Sequence, residues 1–399
     1  MSAFDHWDAL WRIGRDTTTG GYRRFAWTPA ELECRQWFEE EARRRGLEVE
    51  RDRNGNIWAW WGRPGPSAVG LGSHLDSVPD GGGYDGALGV ASALAAIDLL
   101  KARGAEPSRP VALVSFSDEE GARFGVPCLG SQLMTGALDP ARAVGLVDQE
   151  GMTLGEAMAA AGWDPGGLGR DDTGLGRLSM FVELHIEQGR GLAEDGAPVG
   201  LASAIWPHGR WRFRLRGEAN HAGTTAMDER HDPMLSLARL VQGANHEAHR
   251  CCGVATVGKV HVEPNGTNAI PSSIDAWLDA RAPDEGGLDD MVEGVRSAMA
   301  QPLAGGARSV EVVQESYTRA VHFDDALRDR LRATLGDVPV LPTAAGHDAG
   351  ILASRVPTAM LFVRNPDGVS HSPDERITDD DCHAGVEALA RVVEDLACR

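Results

Sequence analysis

At 399 residues, with 39 basic and 59 acidic side chains and a formal charge of −20, the chain has room for one large domain or two, with a substantial core. The acids are spread along the chain rather than gathered in a tail, a balance that argues against nucleic acid or an anionic membrane as a partner. No apolar run approaches the ~20 residues that cross a bilayer, and the start, "MSAFDHWDALWRIGRD", lacks the basic and apolar regions of a secretory leader. Cys34, Cys128, Cys251, Cys252, Cys382 and Cys398 show neither zinc-type nor disulfide-framework spacing, so a reducing cytoplasm is the expected location.

Taken in chain order, "SAVGLGSHLDSV" reads as a buried strand. It is followed by "GALGVASALAAIDLLKARG", whose apolar spacing is that of a helix closed by a glycine. "VALVSF" is a second strand, and this alternation predicts a largely parallel sheet with helices on its faces. The glycine-rich "AAGWDPGGLGRDDTGLG" reads as a surface excursion, and "SMFVELHIEQG" as a further strand. From about residue 210 the pattern changes. Strand "RWRFRLRG", helix "DPMLSLARLVQGANHEAHR", strands "GVATVGKVHVEP" and "SSIDAWLDARAP", helix "LDDMVEGVRSAMAQ" and strand "SVEVVQES" form a βαββαβ, ferredoxin-like order. The last part of the chain returns to α/β alternation. The expected fold is therefore α/β, a mostly parallel sheet with helices on both faces built from residues 1–208 and 326–399. A ferredoxin-like α+β domain at 209–325 is inserted into it.

The chemistry-bearing residues fall at strand ends of the larger part. "GSHLDSVPDGGGYDGALGV" places His74, Asp76 and Asp85 in a glycine-rich loop after a strand, where open α/β sheets hold ligands. Alone, it reads equally as a metal site or as a turn with solvated carboxylates. "SFSDEEGARF" carries adjacent Glu119 and Glu120. In extended chain, neighbours point in opposite directions, so one could ligate a metal while the other stays free as a base. The other reading is a solvated acidic turn. His185 in "ELHIEQG" and His371 in "DGVSHSPDE" complete a set of imidazoles and carboxylates that suits Zn, Mn or Co. Two such ions, about 3.5–4 Å apart, can hold a bridging hydroxide and polarise an amide carbonyl.

These segments, with "GEANHAGTTAM", "VEPNGTNAIPS" and "AGHDAGILA" in the same chain order, make the sequence similar to the di-metal peptidase and aminoacylase superfamily. The similarity is to its branch of N-carbamoyl-L-amino-acid hydrolases, allantoate amidohydrolases and β-ureidopropionases. The resemblance implies two divalent ions per subunit, with His74 and His185 on one, Glu120 and His371 on the other, and Asp85 bridging. It implies Glu119 as general base, Asp76 orienting His74, and His221 stabilising the oxyanion across a homodimer. Asn268, Arg281, Gln188, His208 and Arg364 would contact substrate, with Arg281 pairing with an α-carboxylate. The implied substrate is a small carboxylate: an N-carbamoyl or N-acyl L-amino acid, or allantoate. An N-formyl or N-formimidoyl L-glutamate is the alternative, as is an aminoacylase or peptidase activity of the same superfamily. His208-Gly209 and Arg364-Asn365 depart from the Gln-Arg and Pro-Ser pairs common in the branch. Arg364 or Arg210 beside Arg281 would favour an acidic substrate.

Overall fold

The computed structural model describes residues 7–398. The chain divides into two compact units, Met1–Ser203 with His322–Arg399, and Ala204–Val321. Both junctions fall a few residues before the 208/209 and 325/326 boundaries drawn from the change of pattern.

In chain order the strands are β1 (Glu48–Arg51), β2 (Ile57–Trp61), β3 (Ala68–His74), β4 (Val111–Phe116), β5 (Leu178–Ile186), β6 (Val199–Ile205), β7 (His208–Arg216) and β8 (Asn220–His221). They continue as β9 (Val254–Glu263), β10 (Ala269–Ile270), β11 (Ser273–Arg281), β12 (Ser309–Thr318), β13 (Val321–His322), β14 (Val340–Thr343) and β15 (Thr358–Val363). Nine belong to one sheet of order β1-β2-β4-β3-β5-β15-β6-β13, with β14 also pairing β6. Its centre, β4-β3-β5-β15, is parallel, whereas β2 joins β4 and β6 joins β15 antiparallel. Every residue of β2, β3, β4 and β15 is buried, as continuous apolar runs in a sheet covered on both faces require. The helix Ala87–Ala102 makes the crossover from β3 to β4 and is buried along most of its surface. It lies close because Gly89 has no side chain: a Cβ there would stand 2.2 Å from the Leu184 carbonyl oxygen.

The stretch read as a surface excursion, residues 160–176, packs part of itself into a core: Leu168 is buried, and Ala161 and Trp163 pack against the cluster that includes Trp27, Phe124, Leu129 and Leu133. The helix just before it, Leu154–Ala160, opens on a Thr153/Glu156 capping box and adds Leu154, Ala157 and Met158 to the same cluster. Glycine density hid the few apolar positions of the stretch, whose partners are far away in sequence.

The second unit is a four-stranded sheet of order β12-β7-β11-β9, antiparallel throughout, with helices Pro233–Arg250 and Glu285–Ala300. This is the ferredoxin-like arrangement. Strict alternation drives it: Trp211, Phe213 and Leu215 of β7 and Ile274, Ala276, Leu278 and Ala280 of β11 point into the core with Leu240, Met291 and Val295 of the helices. Arg212 and Arg214 of β7 pair with Glu315 and Glu311 of β12, and Arg216 with Asp275 of β11.

Candidate metal centre

Because β3, β4, β5 and β15 run parallel, their C-terminal ends share one edge of the sheet. His74 is the last residue of β3, Glu119 and Glu120 follow β4, and His185 is the penultimate residue of β5. His371 follows β15, and Asp85 lies between β3 and the helix Ala87–Ala102. The Asp85 carboxylate sits among them. Its Oδ1 is 3.2 Å from His185 Nε2 and 3.7 Å from His74 Nε2. Its Oδ2 is 3.3 Å from His371 Nε2, which is 3.8 Å from Glu120 Oε1. His74, Asp85 and His185 thus offer donor atoms within 4.8 Å of one another, and so do Asp85, Glu120 and His371. Glu119 Oε2 stands 3.7 Å from His74 Nε2.

Local chemistry fixes each group. His74 Nδ1 faces the Asp76 main-chain oxygen at 3.1 Å, and His185 Nδ1 faces that of Ile186 at 2.9 Å. Each contact places the proton on Nδ1 and leaves the Nε2 lone pair toward the centre. The Asp76 carboxylate, expected to orient His74, lies 3.5 Å from its Nδ1. It also accepts from the main-chain N–H groups of Glu119 at 3.1 Å and Glu120 at 3.0 Å, so it seats the acidic pair as well. Gly86 is required: it has φ +66°, and a Cβ would lie 2.4 Å from the His74 ring. His371 adopts φ +53° without being glycine, the kind of backbone strain that clusters at functional sites.

Burial and mutual charge set the electrostatics. Burial pushes Glu120 up to about 7, reinforced by Asp85, and raises Glu119 well above the usual carboxylate range against the pull of His74. The hydrogen bond to Asp85 lifts His371 to about 9. Burial opposes protonation of His74, yet the Glu119, Asp76 and Asp85 carboxylates hold its pKa well above the ordinary imidazole value. Burial would likewise favour neutral Asp85, but the surrounding imidazoles keep it well below the carboxylate range. Glu120 Oε1 is buried without a hydrogen-bond partner among the described residues. A dense set of inward-facing carboxylates and imidazole lone pairs is what divalent cations satisfy, so the donor set fits such ions.

Other sequence-designated residues take two different situations. In the first unit, Gln188 Nε2 donates to Asp85 Oδ2 at 3.2 Å and to Ser370 Oγ at 3.1 Å, so it lies at the centre. Arg364 does not reach a vacant position: it forks onto buried Asp381, at 2.7 Å and 3.2 Å, a pairing that a separation of 17 positions concealed. The neighbouring Asn365 is fully buried and shapes the turn before His371, bonding the Val369 oxygen and the N–H groups of Asp367 and Gly368. In the second unit, His208 stands opposite Arg281 in the β7/β11 register. Asp279 is shared by Arg281, at 2.8 Å, and Arg210, at 3.4 Å. His221 pairs with Ala269, the neighbour of Asn268, in the β8/β10 ribbon.

Several supporting residues escaped the sequence reading. Glu375 takes the N–H groups of Tyr84 at 2.9 Å and Asp85 at 3.0 Å and the Ser370 hydroxyl at 3.3 Å. Burial and the Asp85 charge raise its pKa to about 7. Asp348 is bonded by Ser131 at 2.5 Å. Glu183 is bonded by Ser73 at 2.7 Å and the Ala349 N–H at 2.9 Å. The His347 ring lies 4.5 Å from that of His185. "SHSPDE" and "AGHDAGILA" carried the signal, as acids and a histidine beside assigned motifs, but nothing local says which amide or ring each one meets.

The profile of the peptidase family M20/M25/M40 matches residues 70–395. The chain belongs to that family. It is 37% identical over 412 residues to an N-carbamoyl-L-amino acid amidohydrolase of Geobacillus stearothermophilus, covering 98% of each chain. It is 34% identical to the allantoate amidohydrolase of Escherichia coli K12, covering 95% of this chain and 93% of that one. The crystal structure of an amidase of the hydantoinase/carbamoylase family from Burkholderia vietnamiensis superposes with a TM-score of 0.88 at 30% identity, over 100% of this chain and 98% of that one. This member of the family is an amidohydrolase, acting on C–N bonds of linear amides rather than on peptide bonds.

Proposed function

We propose that this enzyme hydrolyses the linear C–N bond of an N-carbamoyl-type L-amino acid or of allantoate, with two divalent metal ions held at the centre. The observation that carries the reading is Asp85, with one oxygen toward His74 and His185 and the other toward His371 and beyond it Glu120. His74 and His185 would hold one ion, Glu120 and His371 the other, and Asp85 both; Zn or Mn, and also Co, suit these ligands. Bound there, such ions make water acidic and polarise the scissile carbonyl. Glu119 takes the proton of the attacking water and returns it to the leaving nitrogen. Its burial, which disfavours the charged form, makes it a stronger base for that task.

Arg281 is the group we assign to the substrate carboxylate, with Asn268 and His208 as further contacts, and Gln188, beside Asp85, is assigned a substrate contact of its own. His221 Nδ1 accepts the Gly223 N–H at 3.0 Å, which leaves Nε2–H as a donor for the oxyanion of the tetrahedral intermediate. We assign this donor to the partner subunit of a cytoplasmic homodimer. In support of self-association, β9 is an edge strand of its sheet and exposes Val254 and Val260. The pairing of Arg364 with buried Asp381 occupies one of the two arginines that could have received a second substrate carboxylate, which favours a substrate with a single carboxylate over a glutamate derivative. The test is a product assay of metal-stripped enzyme, reloaded with Zn, Mn or Co, on N-carbamoyl-L-methionine, allantoate, N-formyl-L-glutamate and an N-acetylated amino acid, beside Glu119→Gln. Turnover of the first or second, lost by about 10²–10⁴-fold in the variant with its metal retained, is expected. Glu119→Gln turning over at the normal rate would overturn the reading.

A further inference from the structure

We propose that Cys128 is a positioning residue for the general base: its thiol holds the carboxylate of Glu119 in the orientation that proton transfer needs. The inference rests on the role of Glu119 given above and adds a residue that neither motif nor family membership assigns.

The geometry begins in the main chain. The segment opening the short helix Leu129–Thr135 lies against the loop that carries the acidic pair. Its successive N–H groups donate to successive carbonyls, Cys128 to Glu119 at 2.6 Å, Leu129 to Asp118 at 2.9 Å and Gly130 to Ser117 at 2.9 Å. Amides at a helix start have no partner within the helix, and here the catalytic loop supplies them. Cys128 itself has φ +50°, a backbone conformation that non-glycine residues seldom adopt. Ser131, one turn on, ties the segment down: its hydroxyl donates to Asp348 at 2.5 Å, with the Cys128 oxygen at 3.2 Å as a second, shared acceptor.

From this fixed backbone the Cys128 Sγ reaches Glu119 Oε1 at 3.3 Å. Among the described residues it is the side chain that hydrogen-bonds this carboxylate, whose other oxygen faces His74. Both partners are buried. Burial, and then the Glu119 charge, hold the thiol pKa well above its ordinary range, and Cys128 is a donor rather than a thiolate. A thiol is a weak donor. It can select one rotamer of a carboxylate without solvating it as strongly as a hydroxyl or ammonium would, which suits a group that must accept and release a proton in each cycle.

The experiment compares Cys128→Ala and Cys128→Ser with wild type and Glu119→Gln, each loaded with Mn and assayed on the substrate turned over in the panel above. Metal content and thermal melting are recorded for all four. Cys128→Ala should lower kcat about three- to tenfold with KM and metal content unchanged. Cys128→Ser, which keeps a donor, should recover most of the loss. A Cys128→Ala enzyme with wild-type kcat overturns the inference. So does an equal fall in Ala and Ser variants, which would mark a packing role, or a fall that follows metal loss. In all of these cases inactive Glu119→Gln leaves the proposed reaction standing, whereas active Glu119→Gln removes the reaction itself.

Discussion

Replacing Asp76 by asparagine tests whether the acidic pair is held from behind. The carboxylate receives two adjacent main-chain N–H groups, from Glu119 on Oδ1 and Glu120 on Oδ2, and is 2% exposed. A hydrogen bond to a charged group contributes about 1.5–3 kcal/mol. The asparagine amide has one acceptor oxygen, so one bond is lost and an NH₂ group is turned toward an N–H donor. The expected cost in stability is about 1.5–3 kcal/mol, or roughly 3–6 °C in Tm at about 2 °C per kcal/mol for a unit of this size. The displaced pair contains a proposed metal ligand and the proposed base, and loss of such a supporting contact lowers metal affinity or activity about 10- to 100-fold. Asp76→Ala, which leaves both amides without a partner, should fall at least as far. Differential scanning calorimetry, metal content after dialysis against limiting Mn, and kcat measure the three effects. An Asp76→Asn enzyme with wild-type metal affinity and kcat would refute the reasoning, whatever its Tm.

Metal removal should destabilise the protein in a pH-dependent way. Glu120 and Glu375, raised to about 7, and His371, raised to about 9, bind more protons folded than unfolded. The stability of the stripped protein is therefore fullest below the unfolded carboxylate values and declines as pH rises from about 4.5 to 9. Restoring the ions should raise Tm more at pH 8 than at pH 6; an equal gain at both would contradict this. Gly86→Ala, which drives a methyl group into the His74 ring, should keep the circular dichroism of the fold and lose more than about tenfold in metal affinity, and full metal occupancy at limiting ion would count against it. Mixing inactive His221→Ala with inactive Glu119→Gln should restore part of the activity if His221 acts across the dimer. No recovery, once subunit exchange is demonstrated, would place it within its own subunit's site.

Local pattern determined a good deal of this protein. The alternation of Trp211, Phe213 and Leu215, and of Ile274, Ala276 and Leu278, is a period-2 signal that a one-residue slip would destroy, so the second unit could be read strand by strand. His74, Glu120 and His185 could be placed at strand ends because apolar runs stop there, and the parallel order then obliges those ends to meet. What the sequence could not carry is the identity of long-range partners. Glu375 reaches the amides of Tyr84 and Asp85 across 291 and 290 positions, and Ser131 reaches Asp348 across 217. Arg364 looked like a free cation beside a ligand until the first turn of the helix Asp379–Val393 brought Asp381 to it. Cys128 looked like one scattered cysteine among six until a left-handed residue at the start of a short helix aimed its thiol at Glu119. A hydrogen bond depends on distances of a few tenths of an ångström and on direction, and those are properties of packed surfaces, which arise only when segments remote in sequence are brought together.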